Sequence, residues 1–405
     1  MIRIIPPPRD RAEELYDLSG KVFGKYYEWM HFARDHYFGN STYDWGVSRV
    51  AEADGKLVAH AGVWDYTLRV GRARLRTGAI GAVVTHGDYR KRGFMARIFA
   101  ELVPAMRDAG YDLTLLFGIS DFYHRFGYVQ GWPNTTLTAE VANLPDEKLT
   151  LKVRKVPLAE AVCGRGVVMK LYNRDNATRT GTAVRPNYNR PGAYWLSGDC
   201  RTLVDGRGAV RGYIVTDVRD GKLEIREVGG LGRGCGVGQI LAAVKAVARR
   251  AGCRQVTTRD MSYAHPLCAA LRRGSCRAEL AYNRSGGPMI QALNLRSCLA
   301  KMAAELTARL AGSRMKGFRG VLSVEAGGEK VALRIARGKV SVADVPAKPA
   351  GRVIAGVEIA RLLLGSEAPA VLAEQGDVRF TGAGADLAEA IFPAQSPMMA
   401  ALDHV

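Results

Sequence analysis

The sequence predicts a mixed α/β (α+β) fold with two tandem copies of a mixed-sheet domain and a smaller α+β unit after them. Residues 48–118 alternate like antiparallel strands and then follow the order strand, basic turn, helix and strand. The same order returns at residues 223–258. A chain of 405 residues with 47% hydrophobic content is long enough for several cores. We therefore expect domains at residues 1–145, 146–290 and 291–405.

The first copy opens with a short strand at residues 2–5 and a helix that Asp10 caps. A second helix is expected at Tyr27–Tyr37. Two alternating segments are joined at Asp54-Gly55, a dipeptide that tolerates positive φ in tight hairpins. The strand AIGAVV then leads through THGDYRKRG into a helix that ends at Gly110, and the strand YDLTLLFG follows.

The second copy repeats this plan with the strand LEIREV, a glycine-rich turn, the helix QILAAVKAVARRAG and the strand QVTT. The turn and helix match in length, since Gly93 and Gly110 are 17 residues apart and Gly236 and Gly252 are 16 apart. We therefore expect the two copies to share one fold.

The last unit begins near Asn294. Its expected helices are at Ser297–Leu310 and Val357–Leu364. The segments GVLSVEA, KVALRIA, KVSVA and DVRFTG predict its strands.

Charge is distributed unevenly along the chain. Residues 151–290 hold 25 Lys and Arg against 10 Asp and Glu, which accounts for +15 of the formal net charge of +19. An anionic partner is one explanation of this excess, and a solvated basic face is the other. Because the arginines lack interleaved aromatic residues and a recognisable nucleic-acid module, we do not expect nucleic acid to be the partner.

Composition argues against several classes of protein. No apolar run approaches the ~20 residues that span a bilayer, so we expect no membrane association. Three prolines in MIRIIPPPRD interrupt the place where a signal peptide needs an apolar helix, so a cytoplasmic location is expected. The seven cysteines form neither a CxxC pair nor the His/Cys spacing of a zinc site, so we expect no metal site.

The most informative segment runs from Val83 to Ala96, where a strand enters a helix through a basic turn. Amides at a helix N-terminus and the helix dipole attract a phosphate, and Arg90, Lys91 and Arg92 add charge-assisted contacts. The segment is neither a P-loop nor a dinucleotide-binding fingerprint, because it lacks both GK[ST] and GxGxxG. The sequence therefore predicts a phosphate-binding turn.

This turn resembles the acyl-CoA loop of the GCN5-related N-acetyltransferases (GNAT), whose pattern is Arg or Gln, two residues, Gly, one residue, then Gly or Ala. Arg90 and Gly93 match the pattern, whereas Met95 departs from the small residue at its last position. The resemblance implies that acetyl-CoA is the co-substrate. It implies a co-substrate site at Val83, Val84, Thr85, Arg90, Lys91, Arg92, Gly93, Phe94, Met95, Ala96, Ile119 and Ser120.

A second segment, Phe122 to Tyr128, lies one strand beyond the helix. It resembles the FYxxxGF-like segment that, in many GNAT proteins, brings a tyrosine hydroxyl to the thioester sulfur, and Tyr123 stands at the matching position. A phenol with a pKa near 10 is able to protonate the leaving thiolate as a general acid. The resemblance therefore implies that Tyr123 is catalytic, and we expect Tyr128 to belong to the core.

Over its full length, the layout resembles the enhanced intracellular survival (Eis) family, with tandem GNAT domains and a C-terminal α+β domain like a sterol carrier protein. The resemblance implies that the C-terminal carboxylate, here on Val405, enters the first domain as the general base. His404 and Asp403 are the alternatives. It also implies a homo-oligomer, which is a hexamer in that family.

The second copy keeps the loop pattern but not the acid. Arg233, Gly236 and Gly238 fit the pattern, whereas Ala270 stands at the position that corresponds to Tyr123. We interpret this copy as a scaffold that completes the cleft, the alternative being a second anion site. Arg185-Pro186 and Trp195 are expected on its connecting helices, either bordering the cleft or in a structural role.

Together, these features predict an acetyl-CoA-dependent N-acetyltransferase that transfers acetyl directly to a primary amine. The resemblance implies an aminoglycoside-like polyamine or a protein lysine as acceptor, and Glu28, Asp35, Asp44 and Asp403 are the acids able to attract such a cation. The alternatives are a non-enzymatic protein that binds a polyanion or nucleic acid through the basic middle domain, and a lipid carrier.

Overall fold

The computed structural model describes residues 2–24, 30, 33–39, 41–158, 161, 166–186, 198–232 and 235–404. Its strands are β1 (Ile2–Ile5), β2 (Arg49–Ala53), β3 (Lys56–Val70), β4 (Ala73–Thr85), β5 (Leu113–Gly118), β6 (Val129–Gln130), β7 (Asn134–Glu140), β8 (Lys152–Val156), β9 (Asp199–Val204), β10 (Val210–Arg219), β11 (Lys222–Gly229), β12 (Gln255–Arg259), β13 (Arg277–Ala281), β14 (Gly287–Ala292), β15 (Gly320–Ala326), β16 (Glu329–Ala336), β17 (Lys339–Ala343), β18 (Gly351–Ala355) and β19 (Val378–Gly382). Its α-helices are α1 (Ala12–Phe23), α2 (Phe94–Asp108), α3 (Val167–Asp175), α4 (Gly236–Arg250), α5 (Pro266–Arg273), α6 (Leu295–Ala311), α7 (Ile359–Leu364), α8 (Pro369–Glu374) and α9 (Gly384–Ile391).

These strands form three mixed sheets. The first has the order β1-β2-β3-β4-β5-β14-β6, and the second has the order β13-β7-β12-β11-β10-β9-β8. The third has the order β17-β16-β15-β18-β19. The expected mixed α/β class, with two large sheets and a smaller α+β unit, is confirmed.

The first two sheets exchange one strand each. β14 comes from the end of the second copy and lies between β5 and β6 of the first sheet. β7 lies within the expected bounds of the first copy but is placed between β12 and β13 of the second sheet. Each of the two sheets therefore contains a strand from the other copy and crosses the expected bounds of 1–145 and 146–290. Those domain bounds stay a prediction.

The third unit shares a core with the first sheet. Leu68 and Leu75 of that sheet belong to one apolar cluster with Leu299 and Met302 of α6 and Leu322 of β15. Helix α2 packs on the other face of the first sheet, in a separate cluster. The first sheet is thus covered on both faces, which leaves its strand ends as the accessible region.

Most of the predicted elements are present near their expected bounds. The hairpin between β2 and β3 turns at Asp54 and Gly55, with φ values of 50° and 78°. The expected cap Asp10 is wrong, because it lies in the short 3-10 helix Arg9–Arg11 and Arg11 precedes α1. Of the helix expected at Tyr27–Tyr37, Ala33–Tyr37 forms a π-helical turn and most of the rest lies outside the described residues. None of the described helices is long and apolar enough to cross a membrane.

Candidate active site

β4 and β5 lie side by side over only three residue pairs. Their parallel register ends at Ala79 of β4. Beyond it, β4 stays paired with β3 as far as Thr85, and β5 stays paired with β14 as far as Gly118. The two strands therefore separate, and a wedge opens between their carboxyl ends.

The edge of β4 presents backbone groups to this wedge. The amide of His86 donates a hydrogen bond to the carbonyl oxygen of Val58 on β3, at 2.8 Å. Because successive residues of a strand direct their amides to opposite edges, the amide of Thr85 faces the wedge and that of Val84 faces β3. An extended chain with amide groups fits this edge as an added strand.

A cavity of about 640 Å³ fills the wedge and follows the turn before α2. Its lining includes eleven of the predicted site residues, namely Val83, Thr85, Arg90, Lys91, Arg92, Gly93, Phe94, Met95, Ala96, Ile119 and Tyr123. Its charged lining residues are Arg90, Lys91, Arg92 and Arg125, with no acid among the described residues that line it. The volume lies in the range of small-molecule sites, and the charge suits an anion.

The basic turn before α2 lines this cavity. Lys91 has a φ of 60°, and Gly93 caps α2 with a φ of 75°. The first turn of α2 contains no acidic residue, so no side chain within that turn neutralises the positive end of the helix dipole. Arg90 donates from Nε to the carbonyl oxygen of Thr85 at 3.4 Å, which joins the turn to the wedge. The turn has the donors that a pyrophosphate requires.

Tyr123 lines the same cavity and is buried. It begins the 3-10 helix Tyr123–Phe126, and its ring meets that of Phe99 edge-on with centroids 5.7 Å apart. A Cβ atom on Gly118 would lie 2.7 Å from Cδ2 of this ring, so a glycine at the end of β5 lets the ring occupy its place. Burial raises the pKa of Tyr123 to about 12. The phenol is therefore protonated at neutral pH and able to donate a proton.

The end of the chain lies against β5. The ring of His404 stacks on that of Phe117, with centroids 3.6 Å apart. Phe117 directly precedes Gly118, and because adjacent strand residues face opposite sides of a sheet, its ring lies on the face of the first sheet away from Tyr123. Burial lowers the pKa of His404, so its imidazole is neutral at neutral pH. Val405 lies outside the described residues, and the described chain ends one residue before it.

A buried charge cluster fixes this tail to the second unit. Arg185 donates from Nε and Nη2 to the carboxylate of Asp403, at 2.7 and 3.0 Å, and from Nη1 and Nη2 to Glu227, at 2.9 and 2.6 Å. The hydroxyls of Tyr172 and Tyr213 donate to Asp403 and Glu227, at 2.7 and 2.6 Å. All five residues are buried. These ion pairs and hydrogen bonds explain the burial of Asp403 without a role for it as the general base.

The equivalent turn of the second copy differs in charge. Gly236 is the first residue of α4 and has a φ of 75°, the value that Gly93 has as the cap of α2, whereas Cys235 is the N-cap of α4. A Cβ atom on Gly238 would collide with the carboxylate of Glu147, which also accepts a hydrogen bond from Nε2 of Gln239 at 2.8 Å. In the second copy the carboxylate of Glu147 therefore covers this turn, whereas the equivalent turn of the first copy carries Arg90, Lys91 and Arg92. Arg233 lies outside the described residues.

Several sequence predictions fall away from the cavity. Val84 is buried with its backbone toward β3, and Ser120 is exposed outside the lining. Arg185 lies in an irregular segment between α3 and β9 instead of a helix, because its buried ion pairs hold that segment. Trp195 lies outside the described residues.

The predicted acids do not line the cavity. Asp44 accepts a hydrogen bond from the hydroxyl of Tyr111 at 2.8 Å and caps the following turn. Asp35 is exposed, and Glu28 lies outside the described residues. Part of the basic excess of residues 151–290 is paired with acids outside that segment, for example where Arg185 pairs with Asp403 at 2.7 Å. Among the described residues, no cluster of three or more His, Cys, Asp or Glu is arranged to hold a metal ion.

Sequence reasoning missed part of the site. Phe122, Arg125 and Phe126 line the cavity and lie in the same segment as Tyr123, so that motif contained their signal. Val22 also lines it, but its place in α1 shows nothing of this in the sequence. Tyr128 is buried, as expected, and its hydroxyl lies 2.9 Å from that of Thr114.

Comparisons with known proteins bear on the fold of the chain. The family model of the acetyltransferase (GNAT) domain matches residues 3–131. A conserved protein of unknown function from Enterococcus faecalis V583, described as a probable N-acyltransferase, is similar over 100% of both chains, with 15% identity and a TM-score of 0.78. A GCN5-related N-acetyltransferase from Anabaena variabilis ATCC 29413 and Eis1 from Mycobacterium abscessus have the same coverage, with 16% and 14% identity and TM-scores of 0.77 and 0.67. No curated protein matches the chain.

The two strands of the wedge, β4 and β5, and the basic turn between them lie within the residues that match the family model. The family match shows that residues 3–131 are a GNAT acetyltransferase domain. The full-length likeness shows the fold alone and confirms tandem GNAT-type sheets followed by an α+β unit. The GNAT acetyltransferase fold uses acetyl-CoA as co-substrate, so the expected co-substrate is confirmed at the level of the fold.

Proposed function

We propose that the protein is an acetyl-CoA-dependent N-acetyltransferase that transfers the acetyl group directly to a primary amine. The observation that carries this proposal is that one cavity joins the open edge of β4, the basic turn before α2 and the buried phenol of Tyr123. A phosphate site at one end and a proton donor at the other suit a thioester with a long phosphorylated arm.

The residues would divide the work along the cavity. Amides at Phe94, Met95 and Ala96, with Arg90 and Arg92, would hold the pyrophosphate. The backbone edge at Thr85 would pair with the amide groups of the arm. Ile119 and Phe122 would exclude water from the thioester end, because they are the apolar residues of the lining next to Tyr123.

The reaction requires one proton to leave the amine and another to reach the sulfur. The acceptor nitrogen would attack the thioester carbonyl carbon, so that a C–N bond forms and the C–S bond breaks. Tyr123 would give its proton to the departing thiolate. The base would be the carboxylate of Val405, and the stacking of His404 on Phe117 supports a terminus close to the wedge. Because a terminal carboxylate has a pKa of about 3.3–3.7, it would act through a water molecule.

The remaining predictions belong to the same proposal. The acceptor would be an aminoglycoside-like polyamine or a protein lysine. The second copy would serve as scaffold, which the position of Glu147 against Gly238 supports. The sterol-carrier-like character of residues 291–405, the hexamer, the cytoplasmic location and the bounds at 145 and 290 stay predictions.

The test measures release of CoA thiol from acetyl-CoA with aminoglycosides, polyamines and lysine peptides supplied separately. Tyr123→Phe is expected to lower kcat by about 10²- to 10⁴-fold and to leave CoA affinity unchanged, because only the proton donor is removed. Tyr128→Phe is the matched control, since it removes a buried hydroxyl from the same segment outside the cavity. Its kcat should stay within a few-fold of the wild type.

Three results would each contradict a part of the proposal. Absence of CoA binding to the wild-type protein in calorimetry would remove the enzyme hypothesis. Equal turnover in the wild type and Tyr123→Phe would leave the acetyltransferase hypothesis intact but contradict the role of Tyr123 as general acid. Turnover that survives deletion of Val405 would contradict only the role of the terminal carboxylate as general base.

A further inference from the structure

A histidine is buried in the first sheet beside the wedge. His60 lies on β3 with no exposed surface. Its Nδ1 atom lies 2.8 Å from the carbonyl oxygen of Ala82 on β4, and its Nε2 atom lies 2.7 Å from the hydroxyl of Tyr43. Gly62 makes room for the ring, because a Cβ atom there would lie 2.9 Å from Cε1 of His60.

The partners determine the protonation of this ring. A carbonyl oxygen only accepts, so the proton of the neutral imidazole is on Nδ1 and is donated to Ala82. Nε2 is then an acceptor, and the hydroxyl of Tyr43 donates to it. Burial lowers the pKa of His60 to about 4, so the ring is neutral at physiological pH. The arrangement is a fixed relay of two hydrogen bonds rather than a titrating switch.

The acceptor of this relay lies in a β-bulge. Between the pairs His60–Val84 and Gly62–Gly81 the register shifts, so that two residues of β4, Ala82 and Val83, oppose one residue of β3. Ala82 has a φ of 45°, which is unusual for a residue with a Cβ atom. Backbone groups at a bulge lose regular ladder partners, and His60 supplies one for the carbonyl of Ala82.

The bulge directly adjoins the point where the wedge forms. β4 leaves β5 after Ala79, the bulge follows at Ala82, and Val83 lines the cavity. A bulge bends its strand and increases its local twist, which turns the following residues away from the former neighbour. The direction of the wedge edge therefore depends on the conformation of Ala82.

We propose that His60 is a positioning residue, which holds the Ala82 bulge through its Nδ1–H group and so sets the width of the opening that admits the arm of the acyl donor. Tyr43 fixes the orientation and tautomer of the ring. This inference rests on the proposed function for the identity of the ligand, while its geometry is independent of the acceptor amine.

Two substitutions separate positioning from packing. His60→Asn places an amide nitrogen where Nδ1 is and keeps the donor to Ala82. His60→Gln places its amide near Nε2 and loses that donor. Both substitutions remove the imidazole ring, so both should lower the free energy of unfolding measured in urea by similar amounts. We expect calorimetry with CoA to show about a 10- to 100-fold increase in Kd for His60→Gln and at most about a 3-fold increase for His60→Asn, since small displacements of a binding edge have effects of this size.

A second measurement covers the case in which a variant fails to fold. ¹⁵N NMR of the wild-type histidines should show His60 as the neutral Nδ1–H tautomer from pH 8 to about pH 5. An Nε2–H tautomer would overturn the inference, because Ala82 would then have no donor. Equal Kd values for the two variants would overturn it as well. If the wild type does not bind CoA at all, the proposed function fails instead.

Discussion

Replacing Arg185 with methionine would leave the carboxylates of Asp403 and Glu227 buried without the cation that both contact. Removing one partner from a buried ion pair costs about 3–5 kcal/mol. The cheapest response is release of the tail, because it exposes Asp403 without unfolding either large sheet. Since 1.4 kcal/mol is a factor of ten, the released fraction should rise at least ~100-fold.

The assay is trimming of the C-terminus by a carboxypeptidase, followed by mass spectrometry. When reclosing is faster than cleavage, the rate reports the released fraction. Arg314→Met is the control, since it breaks an exposed ion pair with Asp386 whose loss should cost less than ~1 kcal/mol. Trimming of Arg185→Met at the rate of the control would refute the role assigned to the cluster.

The same defect should depend on pH. Burial raises the pKa of Glu227 in the wild type and the nearby charge of Asp403 raises it as well; loss of Arg185 would raise it further, whereas release of the tail removes the Asp403 charge and lowers it again. A carboxyl whose folded pKa is raised contributes stability at low pH and loses that contribution as pH rises through the folded pKa. Trimming of Arg185→Met should therefore slow as pH falls from 8 toward 5, and a defect that grows in this direction would contradict the argument.

Three further predictions concern the cavity. Because the pKa of Tyr123 is raised to about 12, ionisation of this group should not lower kcat below about pH 10. A pH–rate profile checks this, and a fall in kcat near pH 9 would contradict the prediction. Arg90→Gln should raise the calorimetric Kd for CoA about 10-fold, and this increase should be smaller at high salt. The control Arg207→Gln, in the turn between β9 and β10, should leave the Kd unchanged. Gly118→Ala should displace the ring of Tyr123, costing about 1–3 kcal/mol in urea unfolding and lowering kcat, and an unchanged kcat would show that the ring position is unimportant.

Local features were predictable because the residues that form them are close in sequence. Asp54 and Gly55 determine their hairpin through positive φ values. The basic turn follows from Arg90 to Gly93 at the start of an amphipathic helix, and the segment around Tyr123 follows one strand later. The turn and the phenol meet in one cavity, as the order strand, turn, helix and strand implies.

Long-range features were not predictable in the same way. β7 and β14 are not among the strands predicted from the sequence, and a local pattern carries no information about which sheet a strand joins. Arg185 and Asp403 are 218 residues apart, and in sequence each resembles an ordinary surface charge. His60 is similar, because its role depends on a bulge in the neighbouring strand that no local pattern indicates.

The exchanged strand and the tail together make the wedge a property of the whole chain. The family match ends at residue 131, yet β5, one wall of the wedge, pairs along its other edge with β14 at Gly287–Ala292. The tail that reaches Phe117 is held by Arg185 of the second unit. A fragment that contains only the matched residues would expose an unpaired edge of β5 and lack the tail. The second copy thus contributes to the wedge through structure, which is a physical reason for the chain to keep a copy in which Ala270 stands at the position that corresponds to Tyr123.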